Sequence, residues 1–256
     1  MPSGRQFPSL RGFSPEALTL FNAITAKPMF ARAGIIDDCI TALIRAGVWA
    51  KLDCLYLFAA EDSQAALLNW KNPGTFDASV VSAPTFTANS GYLGNGSSSY
   101  VTSNFNASTA GGQYAQDAAT MFAHNGLVAI LDAGIMGYVT SANCAIFPRE
   151  TGNTASLEIN GDAVTLIPAS TDGSGLWSAT RRSSTEVEGY RNGVSLGSVS
   201  CTSEALVNEA HVFLRRAADF YTGPVRAGGF GGALSDDENY NLFLAISTYL
   251  KQVRAI

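Results

Sequence analysis

The chain has 256 residues, 46% of them hydrophobic and 14% charged, with 16 Lys+Arg against 21 Asp+Glu and a net charge of −5. That length buries a core without disulfide staples, and the acidic balance argues against nucleic-acid binding, which calls for a clustered basic face. No apolar run approaches the ~18 residues of a membrane span, so no membrane insertion is expected.

The first 75 residues carry helical patterns. Ser14-Pro15-Glu16 reads as an N-cap with proline at the first helical position, opening a helix over 14–22. Ile36, Ile40, Leu43 and Ile44 keep the spacing of an amphipathic helix, with Gly47 at its C-terminal cap. Val48 to Ala60, with Trp49, Leu52, Leu55, Leu57 and Phe58, reads as an apolar connector, and Ser63 as the cap of a short helix ending near Trp70.

From residue 76 the pattern changes to short strands and turns. Between Asn72 and Pro148, 77 residues hold no Lys or Arg and only Asp77, Asp117 and Asp132, while 32 are Ser, Thr, Asn or Gly. Such a hydroxyl- and amide-rich surface suits many short strands and neutral or sugar-like partners. Strands are predicted at 80–88, 98–102, 119–124, 127–132, 144–148, 155–160, 163–167, 177–182, 186–191, 194–200, 210–216 and 224–230. Asn160-Gly161 and Asn192-Gly193 each read as a type I′ hairpin turn. The glycine pairs at 111–112, 228–229 and 231–232 read as turns. Ser235-Asp236-Asp237-Glu238 is a capping box, and Leu242, Ala245, Ile246, Tyr249 and Leu250 give the last helix an apolar stripe.

Little in the chain predicts chemistry. Cys39, Cys54, Cys144 and Cys201 match no metal or redox spacing and are expected as buried thiols. His124 and His211 lie on separate strands, so no metal site and no cofactor is expected. Thr171-Asp172-Gly173-Ser174-Gly175 offers hard oxygens but reads better as a polar loop than as a calcium site. Glu186 and Glu188 share a strand face, yet lack the third acid of a retaining glycosidase strand. An enzyme is not expected. Sugar contact is better motivated: aromatic rings stack on CH faces, and guanidinium groups bind hydroxyls and acids. Trp177, Arg181, Arg182, Tyr190, Arg191 and Tyr221 are the candidate glycan-binding residues, with Tyr190 paired to Ser195 and turned to solvent beside Glu188.

Tyr190-Arg-Asn-Gly-Val194, with Gly228-Gly-Phe-Gly-Gly-Ala-Leu-Ser235 and the terminal helix, resembles concanavalin A-like (laminin-G-like) jelly-roll domains over residues 76–256. Ala46-Gly-Val-Trp-Ala-Lys-Leu-Asp-Cys-Leu-Tyr56, Gln64-Ala-Ala-Leu-Leu-Asn-Trp-Lys71, Pro84-Thr-Phe-Thr-Ala-Asn-Ser-Gly-Tyr92 and Ser97-Ser-Ser-Tyr100 are similar to tailed-phage and prophage virion structural proteins of tail-fibre or spike type. The two resemblances imply a mainly β concanavalin A-like jelly-roll sandwich at 76–256. A helical attachment or oligomerisation segment at 1–75 precedes it, and a C-terminal capping helix follows.

They imply residence in the virion as a spike or fibre that binds a host surface polysaccharide. The alternatives are a purely architectural collar, decoration or adaptor protein, and a capsule depolymerase. Other virion proteins and further copies of the chain are the expected partners, since weak sugar contacts gain avidity when several engage. Ile36, Ile40, Trp49, Tyr56 and Phe58 are the candidate assembly residues, being many for a small helical module to bury. Met1-Pro-Ser-Gly-Arg-Gln6 has no apolar stretch, so synthesis in the host cytoplasm without a signal peptide is expected.

Overall fold

Residues 12–141, 143–161, 166–167 and 171–256 are described by a computed structural model. Helix α1 (Pro15–Ala23) begins where the Ser14 hydroxyl accepts from the Ala17 amide. Ser14 also donates through its N–H and O–H to Asp37, which ties α1 to α2 (Phe30–Arg45). Ile36, Ile40 and Leu43 form the buried stripe of α2, and Gly47 ends it at φ 75°. The stretch expected as a connector instead holds a single turn, α3 (Val48–Lys51), and a strand, β1 (Leu52–Tyr56). Cys54, Leu55 and Tyr56 are all fully buried. A strand covered on both faces has no polar alternation, and periodicity alone does not separate it from other apolar runs. Helix α4 (Ser63–Leu67) is capped by Asp62, one residue before the expected serine.

The strand region is more finely cut than the sequence predicts. The stretch 80–88 is broken at Ser82 and Ala83, both at positive φ, into β2 (Ser79–Val81) and β3 (Thr85–Thr87). Then come β4 (Gly91–Leu93), which was not predicted, β5 (Tyr100–Thr102), a helical turn α5 (Ala107–Ala110) and β6 (Ala119–Asn125). Residues 127–132 form a loop, not a strand. The Asn125 amide explains it, donating to the Leu127 and Gly173 carbonyls and accepting from the Leu127 N–H, which fixes a turn just past β6. Next are β7 (Met136–Gly137), β8 (Cys144–Glu150), β9 (Thr154–Ile159) and β10 (Leu166–Ile167). β11 (Gly175–Arg181), β12 (Glu186–Arg191) and β13 (Val194–Ser200) follow. The predicted 210–216 strand breaks at Leu214, φ 66°, into β14 (Val212–Phe213) and β15 (Arg215–Arg216). After β16 (Asp219–Phe220) and β17 (Pro224–Gly231) the chain ends in α6 (Asp236–Gln252).

Apart from β15 and β16, which pair with each other, the strands form two antiparallel sheets. One runs β13-β12-β11-β6-β17-β4-β3, with β1 also paired to β17, and the other runs β10-β9-β8-β7-β14-β5-β2. Apolar side chains between them, among them Phe58, Phe105, Phe213, Phe230 and Trp177, make one cluster that extends to α1, α2 and α6. β17 has β6 along one edge and shares the other between β4 and β1. This explains Gly228-Gly229, which lie in that strand and not in the expected turn. A Cβ on Gly229 would strike the Cys54 carbonyl and the Phe122 ring, so glycine here permits close approach of a neighbouring backbone.

Of the two Asn-Gly turns, Asn192-Gly193 is as predicted, with φ of 52° and 74° and Arg191 opposite Val194. Asn160-Gly161 is not a two-residue turn. Leu166 pairs with Ser156, one residue away from the register such a turn would impose. Asn160 instead accepts from Tyr114 Oη and donates to the Ala115 and Gln116 carbonyls. Residues 162–165, part of the predicted 163–167 strand, lie outside those described.

Helix α6 lies across the outer face of the larger sheet. Its capping box is formed in both directions between Ser235 and Glu238. A polar layer joins helix to sheet: buried Asn239 accepts from Ser178 Oγ and donates to Thr180 Oγ1, and Thr120 Oγ1 accepts from the Leu234 amide. Among the described residues no helix is long and apolar enough to cross a membrane.

Candidate functional site

The predicted residues on the β11–β12 ribbon are brought together, but most are turned inward or covered. Tyr190 does pair with Ser195. Its ring is fully buried, however, because α6 covers that face, and its hydroxyl donates to Asp236 at 2.7 Å. Arg182 donates to Tyr190 Oη, Asp236, Glu188 and the Leu234 carbonyl, so it is a bracket between sheet and helix. Burial alone would raise the Glu188 carboxyl, but hydrogen bonds from Ser195 and Arg182 hold it below its ordinary value. That is the opposite of the raised pKa a general acid needs. Arg181 is fully buried and donates to the Ile159, Ser183 and Cys201 carbonyls.

The remaining three hold loops. Trp177 is buried, and its Nε1 donates to the Gly173 carbonyl at 2.8 Å. Arg191 lies over the Trp177 ring, donates to the Ser174 carbonyl and pairs with Asp172 at 2.9 Å. The Asp172 carboxylate and the Ser174 carbonyl of the 171–175 loop thus already face a guanidinium. Tyr221 is 1% exposed and donates to Asn125 Oδ1, the same amide that fixes the 125–127 turn.

The five candidate assembly residues are interior to this chain. Ile40, Tyr56 and Phe58 are fully buried, Ile36 and Trp49 nearly so. Tyr56 and Phe58 stack on one another and meet Phe213 edge-on, so the second sheet absorbs the apolar excess of residues 35–60.

The loops braced by Trp177, Arg191 and Tyr221 wall an open cavity of about 390 Å³ at the end of β6, β11 and β17. His124, Gly126, Val128, Ser174, Asn192 and Arg226 line it from the sheet, and Phe243, Ser247 and Lys251 from α6. Two features of the chain place Arg226 here. The β17–β6 register slips between Val225 and Ala227, so Arg226 is the extra residue of a bulge, a device that re-aims a side chain. Gly126 leaves room for it: a Cβ there would fall inside the guanidinium. Sequence reasoning passed over both His124, read only as a non-ligand, and Arg226. Its signal was a lone arginine inside the small-residue strand Val225-Arg226-Ala227-Gly228.

A second cleft is less suited to a polar ligand. The cleft at Asp53, Lys71 and Asn72 has its carboxylate engaged, since Asp53 accepts from the Gln113 and Tyr114 amides. Among the described residues no three His, Cys, Asp or Glu side chains group to hold a metal.

Two layers of antiparallel strands, helices at the front and a capped helix behind define the expected concanavalin A-like jelly-roll sandwich. No protein-family model and no curated protein sequence matches the chain. Solved structures share the fold. The binding domain of botulinum neurotoxin serotype D aligns with a TM-score of 0.55 at 11% identity, covering 79% of this chain and 52% of that one. Botulinum neurotoxin type C, described as depending on two ganglioside molecules for cell entry, aligns at 0.53 and 13% identity, covering 79% and 53%. A Trypanosoma rangeli sialidase in complex with sialic acid aligns at 0.50 and 10% identity, covering 84% and 39%. This chain therefore spans about half or less of those proteins.

Proposed function

We propose that the chain is a glycan-binding β-sandwich module of a phage or phage-like particle, a spike or fibre component that contacts a host surface polysaccharide without cleaving it. The observation that carries the binding part is the open cavity at the strand end. Amides, hydroxyls and a guanidinium converge there on a rigid sheet, the arrangement a sugar site needs. The fold agrees with it, since a toxin tied by its description to gangliosides and a sialidase holding sialic acid are built on similar sandwiches. The particle assignment rests on the sequence resemblance alone, and assembly with other virion proteins and further copies of the chain belongs to the same reading.

Incubation with purified host capsule or lipopolysaccharide tests it. Saturable binding with no new reducing ends is the expected result. Oligosaccharide release would instead make the chain a depolymerase, and absence of any binding would leave an architectural protein. Light scattering tests assembly, with a multimer expected.

A further inference from the structure

The strand-end cavity contains a cation with no ion-pair partner among the described residues. The Arg226 guanidinium has no hydrogen-bond or ion-pair partner among the described residues, and its buried Nε is unsatisfied. Burial lowers its pKa from the ordinary arginine value, and no carboxylate opposes the shift. Lys251 brings a second positive charge to the rim, while no Asp or Glu side chain lines the cavity. Beside it His124, 4% exposed, holds Nδ1 buried and without a partner. Burial, and then the neighbouring Arg226, push the His124 pKa down to about 3, so its ring is neutral at physiological pH.

An unpaired, partly desolvated guanidinium and an unsatisfied imidazole are costly to keep. The cost at the guanidinium falls once an anion enters, because arginine binds carboxylates and phosphates through two parallel hydrogen bonds. We propose that this cavity binds the anionic substituent of an acidic saccharide, with Arg226 as the anchor, His124 as a second polar contact, and Asn192 and Ser174 beside the sugar hydroxyls. This rests on the glycan-binding reading and names its ligand class.

The test uses the full chain, wild type and Arg226→Gln. Each is titrated with a glucuronate-containing oligosaccharide, with its neutral glucose counterpart, and with inorganic phosphate alone. The acidic oligosaccharide is expected to bind wild type at least about tenfold tighter than the neutral one, the weight of one charge-assisted contact. Arg226→Gln should remove that preference, and Arg226→Lys should restore part of it.

Imidazole NMR on wild type gives a second readout that needs no variant. The chain has two histidines, and His211 is fully buried among Phe105, Tyr114, Tyr138 and Phe230. The acidic ligand should shift the His124 signals and leave those of His211 in place, and unchanged His211 signals in Arg226→Gln would show that the variant is folded. Equal affinity for acidic and neutral sugars, an unchanged affinity in Arg226→Gln, unmoved His124 signals, or binding of phosphate but not of the uronate would each overturn the proposal. Neutral-sugar binding that survives those outcomes leaves the glycan-binding reading standing. Loss of all saccharide binding removes both.

Discussion

Arg181 is a charged side chain with zero exposure, held by three backbone carbonyls and the Cys201 sulfur. It ties β9, the end of β11 and the turn after β13 together across the sandwich, and no part of it is exposed. Arg181→Met should therefore cost at least about 2 kcal/mol in urea unfolding, because it strands several buried acceptors, while glycan affinity stays as in wild type. A loss of affinity without loss of stability would return Arg181 to the binding surface. The cysteines behave similarly. All four are buried and free, and burial pushes the Cys39 and Cys54 thiols up to about 12. A thiol reagent should find no reactive sulfur until the protein is denatured. At this scale alternation along β12 was readable: Tyr190 pairs with Ser195 as expected. That α6 covers this face was not readable, because no local pattern says which sheet surface a distant helix will take.

Helix α6 closes the larger sheet, and its attachment is polar as well as apolar. Ser235→Ala removes the cap and should lower stability by about 1 kcal/mol by chemical denaturation. Glu238 adds a pH dependence. Burial tends to raise its carboxyl, but Lys51 and the Ser235 amide more than offset this and hold it below the ordinary glutamate value. A carboxyl depressed in the folded state stabilises above its unfolded pKa, and that contribution disappears as pH falls through the folded value. The urea midpoint should thus drop as pH falls below the ordinary glutamate range, and Glu238→Gln should flatten that part of the curve. An unchanged pH profile in the variant would mean the Lys51 pair contributes nothing. The hairpin beneath the helix carries its own demand. A Cβ on Gly193 would meet Tyr240 Cα and Phe243 Cβ, so Gly193→Val should cost about 2 kcal/mol or more, through strain at positive φ and overpacking together. The Asn192-Gly193 turn and the capping box were legible because their chemistry is local. Asn160-Gly161 misled, because the Asn160 side chain is spent on Tyr114, Ala115 and Gln116.

For the molecule as a whole, residues 12–75 do more than precede the sandwich. β1 supplies an edge partner to β17, Trp70 meets the Tyr249 ring of α6 edge-on, and Tyr249 Oη donates to the Ala59 carbonyl. Removing residues 1–75 should leave β17 half unpaired and abolish cooperative unfolding as followed by near-UV circular dichroism. A truncated chain that melts sharply would show that the sandwich folds alone. The fold class was legible in the density of turns, short alternating runs and the charge-poor middle third. The cavity was not, because its parts come from β6, β11, β17 and α6, which lie far apart in sequence and meet only through sheet order and a one-residue bulge. The most direct measurement is an amide chemical-shift map of the isotope-labelled protein titrated with host surface oligosaccharides. Shifts clustered at Gly126, Val128, Ser174, Asn192 and Arg226 are predicted. Shifts confined to another face, or a spectrum that does not change at saturating sugar, would contradict the account.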